Sequence, residues 1–310
     1  MKLDDVLLIG PGAIGVYFAG RLAQAGADVT VAARSDYGKV ATDGYEVKSV
    51  AGDFRWKPPV VRGAVEFGRP ARLIMVAVKA LPGVDLAELV RPAVGPQTAF
   101  LLIQNGLDVE RPLAEAFPDN ELLSAIAFIG VSRTAPGKVT HSGGGKLTVG
   151  RYPNGGGSQL LETLRGAFES VGVGCVVAED TDLMRYRKLL WNAPFNPLSV
   201  LTGGMNTREM VDDAKVVALA GAIMKEVQSV AAADGKALTD AELQWNIDYT
   251  RDFPAYKTSM LLDFESSRPL EVEAILGSLA RRARKNGVAT PHIDTVYALL
   301  AAVDAKNREK

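Results

Sequence analysis

Two hydrophobic rhythms divide the chain. Through the first half, short apolar runs alternate with stretches of helical period. Residues 6–9, 29–33, 73–78 and 99–103 read as buried strands, the last two spelling "LIMVAV" and "AFLLI". Between them, a helix is expected over 12–25, and further helices over 86–94 and 109–116. Short strands around a turn at Gly52 account for 45–61, and another apolar strand for 122–130. In 137–150, "GKVTHSGGGKLTVG", two alternating runs flank three glycines, which predicts a hairpin there. A helix over 159–171 and a strand over 174–178 close this half. From Asp180 onward the period is helical, with candidate helices over 182–193, 212–235, 239–250, 254–267, 269–286 and 292–305. Asp234-Gly235 and Asn286-Gly287 read as helix stops.

The first strand and helix meet at Gly10-Pro11-Gly12-Ala13-Ile14-Gly15, a G-x-G-x-x-G pattern. Its context is the one that dinucleotide binding requires: a strand before it, a helix after it, and a second strand within a βαβ unit. Gly10 allows the tight turn, Gly12 lets a pyrophosphate approach the backbone, and Gly15 lets the helix lie close to the strand. The helix N-terminus offers amide groups and partial positive charge to the diphosphate. The expected fold class is therefore α/β: an N-terminal Rossmann-like doubly wound parallel sheet over 1–179, and an all-helical C-terminal domain over 180–310.

An NAD site usually carries an acid at the end of the second strand, for the ribose hydroxyls. Here that strand ends Ala33-Arg34-Ser35. Arg34 would attract a 2′-phosphate and Ser35 could donate to it, so NADPH is expected over NADH. Asp36 stands against this, and Arg34 also fits a solvated strand-end charge.

Composition narrows the class further. The 310 residues carry a net charge of −1, with 47% hydrophobic and 23% charged residues, as an ordinary globular protein does. No field of one sign points to nucleic acid or membrane. No uncharged apolar stretch reaches the length of a membrane span, and Asp4 and Asp5 do not fit a signal peptide. Cys175 is the single cysteine, so no internal disulfide can form, which suits a cytoplasmic location. Its place in "GVGCVVA" reads as a small buried hydrophobe.

Several polar residues interrupt apolar surroundings. Lys79 ends "LIMVAVKA" and Asn105 follows "FLLIQ", both at strand edges where ligands or plain turns are found. Lys188, Asn192 and Asn196 are four apart and would share one helical stripe. Pro194 and Pro197 are expected to kink that helix and to turn Asn196 toward a cleft. Lys188 can equally snorkel to the surface. Asp263, Glu265, Glu271 and Glu273 cannot be ranked from the residues alone.

The chain resembles the ketopantoate reductase family over nearly its whole length. The resemblance rests on "GPGAIG", "AAR", "VAVKA", "QNG", "RKLLWN…NPLS", "SM" at 259–260 and "RPLEVEAILG…ARKNGVATP", in that order. It implies NADPH-dependent reduction of 2-dehydropantoate to (R)-pantoate, for pantothenate and coenzyme A synthesis, at a site between a Rossmann and a helical domain. It implies Lys188 as catalytic lysine and Glu271 as the supporting acid. Asn105, Asn192, Asn196, Asn206 and Ser259 resemble the substrate-contacting set. Gly10 to Gly15, Arg34, Lys79, Asn105 and Glu271 fall on the cofactor side. The only histidines, His141 and His292, lie in a predicted hairpin and just after Pro291, which leaves lysine as the natural proton donor. A reductase of a different 2-keto acid and a non-catalytic NADPH sensor remain open, as does pairing into a homodimer.

Overall fold

Continuous apolar runs become strands buried on both faces, the pattern of a parallel sheet covered by helices. In the computed structural model, which describes residues 3–155 and 157–309, the strands are β1 (Val6–Ile9), β2 (Val29–Ala32), β3 (Tyr45–Ser49), β4 (Phe54–Trp56), β5 (Val60–Val61), β6 (Leu73–Val76), β7 (Ala99–Ile103), β8 (Leu122–Ala135), β9 (Lys138–Tyr152) and β10 (Cys175–Val177). They form one ten-stranded sheet in the order β4-β3-β9-β8-β7-β6-β1-β2-β5, with β10 beside β9. From β8 to β5 all neighbours are parallel, and β1 stands where the order reverses, between β2 and β6. That reversal opens the crevice used by ligands in such sheets. The rest of the sheet is mixed, because β8 and β9 are antiparallel, as are β3 and β4.

The hairpin differs from the expectation. β8 and β9 turn at Pro136-Gly137, joining Ala135 to Lys138, and β8 runs on past residue 130. Gly143, Gly144 and Gly145 lie inside β9, where the register shifts against Phe128–Val131. Gly144 (φ 71°) and Gly145 (φ 104°) supply left-handed backbone there, so the glycines make bulges in a long strand rather than its turn.

The helices of this half are α1 (Ala13–Gln24), α2 (Tyr37–Asp43), α3 (Ala64–Phe67), α4 (Leu86–Val90), α5 (Arg111–Ala116) and α6 (Gln159–Ser170). After residue 180 come α7 (Thr181–Leu201), α8 (Thr207–Asp212), α9 (Ala214–Ala233), α10 (Asp240–Asp252), α11 (Ser259–Glu265), α12 (Ser278–Lys285) and α13 (Pro291–Arg308), with a π-helical segment at Glu273–Gly277. No strand occurs after Val177 among the described residues.

The chain divides into two compact units. One takes residues up to Lys79, Val84–Gln104 and Glu110–Thr181; the other takes Ala80–Gly83, Asn105–Val109 and the residues from Asp182 onward. Each has its own core. The first gathers Phe18, Leu22, Leu101 and Phe168 around the sheet, and buried Cys175 belongs to it. Burial pushes the Cys175 thiol up to about 11, so it stays protonated and inert. The second gathers Leu190, Phe195, Met224, Val227, Leu276 and Leu300. Among the described residues α9 alone is long and apolar enough to cross a membrane; six of its side chains from Ala220 to Ala231 are buried in that second core.

Candidate active site

The glycine turn follows β1 at the point of strand reversal. Gly10 has φ 89°, and a Cβ on it would lie 2.5 Å from the Val78 amide nitrogen. A Cβ on Gly15 would lie 2.4 Å from the Gly10 carbonyl oxygen. At Gly12 a Cβ would meet nothing within 4 Å, so this glycine faces open space. No side chain caps α1 and no acid occupies its first turn. The amides of Ala13, Ile14 and Gly15 precede the first bond of the helix ladder, Val16 N–H to the Gly12 carbonyl, and find no acceptor among the described residues. Unmet amides beside open space suit a diphosphate. Pro11 is half-buried beside them.

This geometry separates two substitutions. Gly15→Ala is expected to destabilise by about 2–3 kcal/mol, since backbone must move to admit the methyl. Gly12→Ala is expected to hold stability within about 1 kcal/mol and to weaken dinucleotide binding. Thermal denaturation and cofactor titration read the two effects.

At the end of β2, Arg34 and Ser35 are exposed, and the Arg34 guanidinium has no hydrogen-bond or ion-pair partner among the described residues. Asp36 is buried and held by Arg133, Nη1 to Oδ2 at 3.1 Å. Ser35 Oγ donates to Asp36 Oδ1 at 3.1 Å, which commits the hydroxyl proton that the sequence offered to a phosphate. Lys79 does not end its strand; β6 stops at Val76 and Lys79 lies three residues beyond, half-buried.

In the helical unit, α7 carries the polar stripe. Pro194 and Pro197 lie inside it, yet the helix runs unbroken to Leu201. Each proline deprives a carbonyl one turn back of its donor. Burial of Leu189, Leu190, Ala193, Phe195 and Leu198 against the unit's core holds the helix through both. Lys188, Asn192 and Asn196 therefore stay on successive turns. Lys188 is half-buried by residue, but its ammonium is withdrawn from water, and that burial lowers its pKa to about 8. Its Nζ lies 5.8 Å from the centre of the Trp191 ring. Asn192 is buried and donates from Nδ2 to Asn105 Oδ1 at 3.4 Å. Asn105 in turn donates to Glu271 Oε2 at 3.4 Å, and the Ala80 amide donates to Glu271 Oε1 at 3.1 Å. Asn196 is 1% exposed, and its Oδ1 has no hydrogen-bond partner among the described residues. A buried acceptor left unmet is costly, and a water or ligand donor would satisfy it.

Two of the expected residues make no hydrogen bond to this group among the described residues. Asn206 is the N-cap of α8, its Oδ1 accepting from the Arg208 and Glu209 amides in a capping box. That engagement comes from an Asn-x-x-Glu spacing that the sequence displays. Ser259 is the exposed first residue of α11, with no side-chain hydrogen bond among the described residues. Its neighbour Thr258 is the buried cap, tied to Ser199 at 2.7 Å. The histidines are engaged apart from these groups: His141 Nδ1 contacts Ser49 Oγ at 2.8 Å, and His292 Nδ1 contacts Glu226 at 2.6 Å.

Comparison with known proteins places the whole chain. The model of ketopantoate reductase PanE/ApbA matches residues 6–154, and that of its C-terminal part matches residues 180–304. The chain belongs to the ketopantoate reductase family. A 2-dehydropantoate 2-reductase from Nostoc sp. is 33% identical, over 97% of this chain and 95% of that protein. The crystal structure of 2-dehydropantoate 2-reductase from Methylococcus capsulatus is 42% identical, covers 98% of each chain and superposes with a TM-score of 0.91. That from Geobacter metallireducens is 31% identical, with a TM-score of 0.91 over 97% of this chain and 99% of that one.

In this family member, sequence reasoning missed what holds the Asn105–Glu271 pair. Gly106 has φ 103°, and the Leu107 amide donates to the Ala274 carbonyl at 3.3 Å. Arg185, 1% exposed, donates from Nη1 to the Gly106 carbonyl at 2.9 Å. Glu271 sits two residues before a π-helical turn, a distortion frequent at functional sites. Backbone contacts of this kind leave no residue-type signal.

Proposed function

We propose that the protein reduces the C2 ketone of 2-dehydropantoate to (R)-pantoate with NADPH, within pantothenate and coenzyme A synthesis, and that Lys188 supplies the proton. The observation that carries this reading is a desolvated lysine one helical turn before the linked amides and carboxylate of Asn192, Asn105 and Glu271. The relatives named 2-dehydropantoate 2-reductase support the reaction, and a ketone-reducing oxidoreductase is the coarser form of it.

Gly10 to Gly15 hold the diphosphate, through the open face of Gly12 and the uncapped end of α1. Arg34 takes the 2′-phosphate, and Lys79 lies on the cofactor side. Bound there, NADPH supplies the hydride. As the ketone oxygen gains charge, the Lys188 ammonium hydrogen-bonds to it and then gives up a proton. Desolvation lowers the cost of the neutral amine that remains, and with a pKa of about 8 the amine recovers its proton near neutrality. Glu271, held by the Ala80 amide and Asn105, accepts from the substrate hydroxyl as a carboxylate does. Asn196 Oδ1 accepts a second substrate donor, and Ser259 and the amides orient the carboxylate end.

The test is NADPH oxidation against a panel of 2-keto acids, with 2-dehydropantoate first. The highest kcat/KM is expected there, with a lower KM for NADPH than for NADH, and Arg34→Ala should bring the two KM values together. Turnover favouring another keto acid would reassign the substrate. NADPH binding with no turnover on any member would leave the sensor reading.

A further inference from the structure

We propose that Arg62, seated on the ring of Tyr37, is a second guanidinium for the 2′-phosphorylated ribose and sets cofactor preference together with Arg34. This rests on the NADPH reading above.

β2 and β5 are parallel neighbours, with Ala32 opposite Val61 and the Ala33 amide donating to the Val61 carbonyl at 2.9 Å. Arg34 and Arg62 thus follow adjacent strand ends on the same edge of the sheet. That is the edge onto which the Gly10–Gly15 turn opens, since β1 is parallel to β2. Tyr37 opens α2, and its amide donates to the Arg34 carbonyl at 3.2 Å. The Arg62 guanidinium lies over the Tyr37 ring, 4.1 Å from its centre. A guanidinium stacked parallel to a ring would keep its face occupied and its N–H edges free, and such an edge matches phosphate oxygens in pairs.

The acids nearby do not cancel this charge. Asp36, next to Tyr37 in sequence, is buried and neutralised by Arg133. Glu66 is exposed, and one of its oxygens accepts from the Arg62 backbone amide. The strand ends therefore present two guanidiniums, one lying over a ring, with buried Asp36 already paired. A dianionic 2′-phosphate is favoured there, and a bare ribose hydroxyl gains little from the same groups.

Calorimetric titration with 2′,5′-ADP and 5′-AMP tests this on the intact protein. Arg62→Ala is expected to weaken 2′,5′-ADP binding about tenfold, as loss of a charge-assisted bond does, and to leave 5′-AMP affinity unchanged. Tyr37→Ala should reproduce part of the loss and Tyr37→Phe should not, because the ring is kept. Unchanged 2′,5′-ADP affinity in Arg62→Ala, or equal weakening of both ligands, overturns the proposal. A parent protein that does not distinguish the two ligands overturns the NADPH reading itself, before any variant is measured.

Discussion

Lys188→Ala is expected to lower kcat by about 10²–10⁴-fold, the share a positioned proton donor contributes, while NADPH affinity holds. The glycine turn and Arg34 belong to the other compact unit and do not depend on this side chain. The pH profile of the parent enzyme gives an independent readout. A proton donor must be protonated, so kcat for ketone reduction should be level below a pH of about 8 and fall above it. Oxidation of the hydroxy acid needs the neutral amine and should rise through the same region. Lys188→Ala should flatten both limbs. Stability carries the opposite sign. The folded pKa of about 8 lies below the ordinary lysine value of 10.5, so between them the unfolded chain binds more protons than the folded one. The parent should therefore gain stability as pH rises across that window. Lys188→Met should show less of this gain, and should melt no lower than the parent at neutral pH, because a buried ammonium is exchanged for an apolar chain. Near-normal turnover in Lys188→Ala would remove lysine from the chemistry.

The parts of the molecule that were legible in advance are those where side-chain pattern alone determines the outcome. Val6–Ile9, Leu73–Val76 and Ala99–Ile103 are apolar at every position and buried at every position. The glycine turn was legible because two of its three glycines meet backbone that no side chain would clear. The α7 stripe was legible as a spacing, but its continuity through Pro194 and Pro197 was not. Local propensity argued for a break, and packing of the apolar faces overrode it. The three glycines of β9 were misplaced for a related reason. Glycine marks left-handed backbone wherever it occurs, and bulges use it as turns do. Asn206 carries two signals at once: its spacing to Glu209 marks a helix cap, which the structure shows, while the family resemblance implies a substrate contact. The link between Asn105 and Glu271 joins residues 166 positions apart, and no local pattern announces it.

Gly106→Ala is expected to cost about 3–5 kcal/mol, at the severe end for a single methyl. Two independent penalties meet at this residue. Its φ of 103° is one that an L side chain rarely adopts, and a Cβ there would lie 2.2 Å from the Ala274 carbonyl oxygen and 2.7 Å from its carbon. Neither obstacle is a side-chain tip that can swing aside. The Ala274 carbonyl is held by the Leu107 amide at 3.3 Å and by Ser278 Oγ at 2.6 Å, and the Gly106 carbonyl by buried Arg185. Relief requires the turn or the π-helical segment to shift, and these carry Asn105 and adjoin Glu271. The fraction that still folds should therefore show a raised KM for the keto acid as well as a lower melting temperature. Gly235→Ala is the control. That glycine has φ 72°, and a Cβ on it would meet nothing within 4 Å. It should cost only the backbone strain, about 1 kcal/mol, and leave KM alone. Equal losses of melting temperature in the two variants would show that φ alone sets the cost, and that close approach to Ala274 does not hold the pair together.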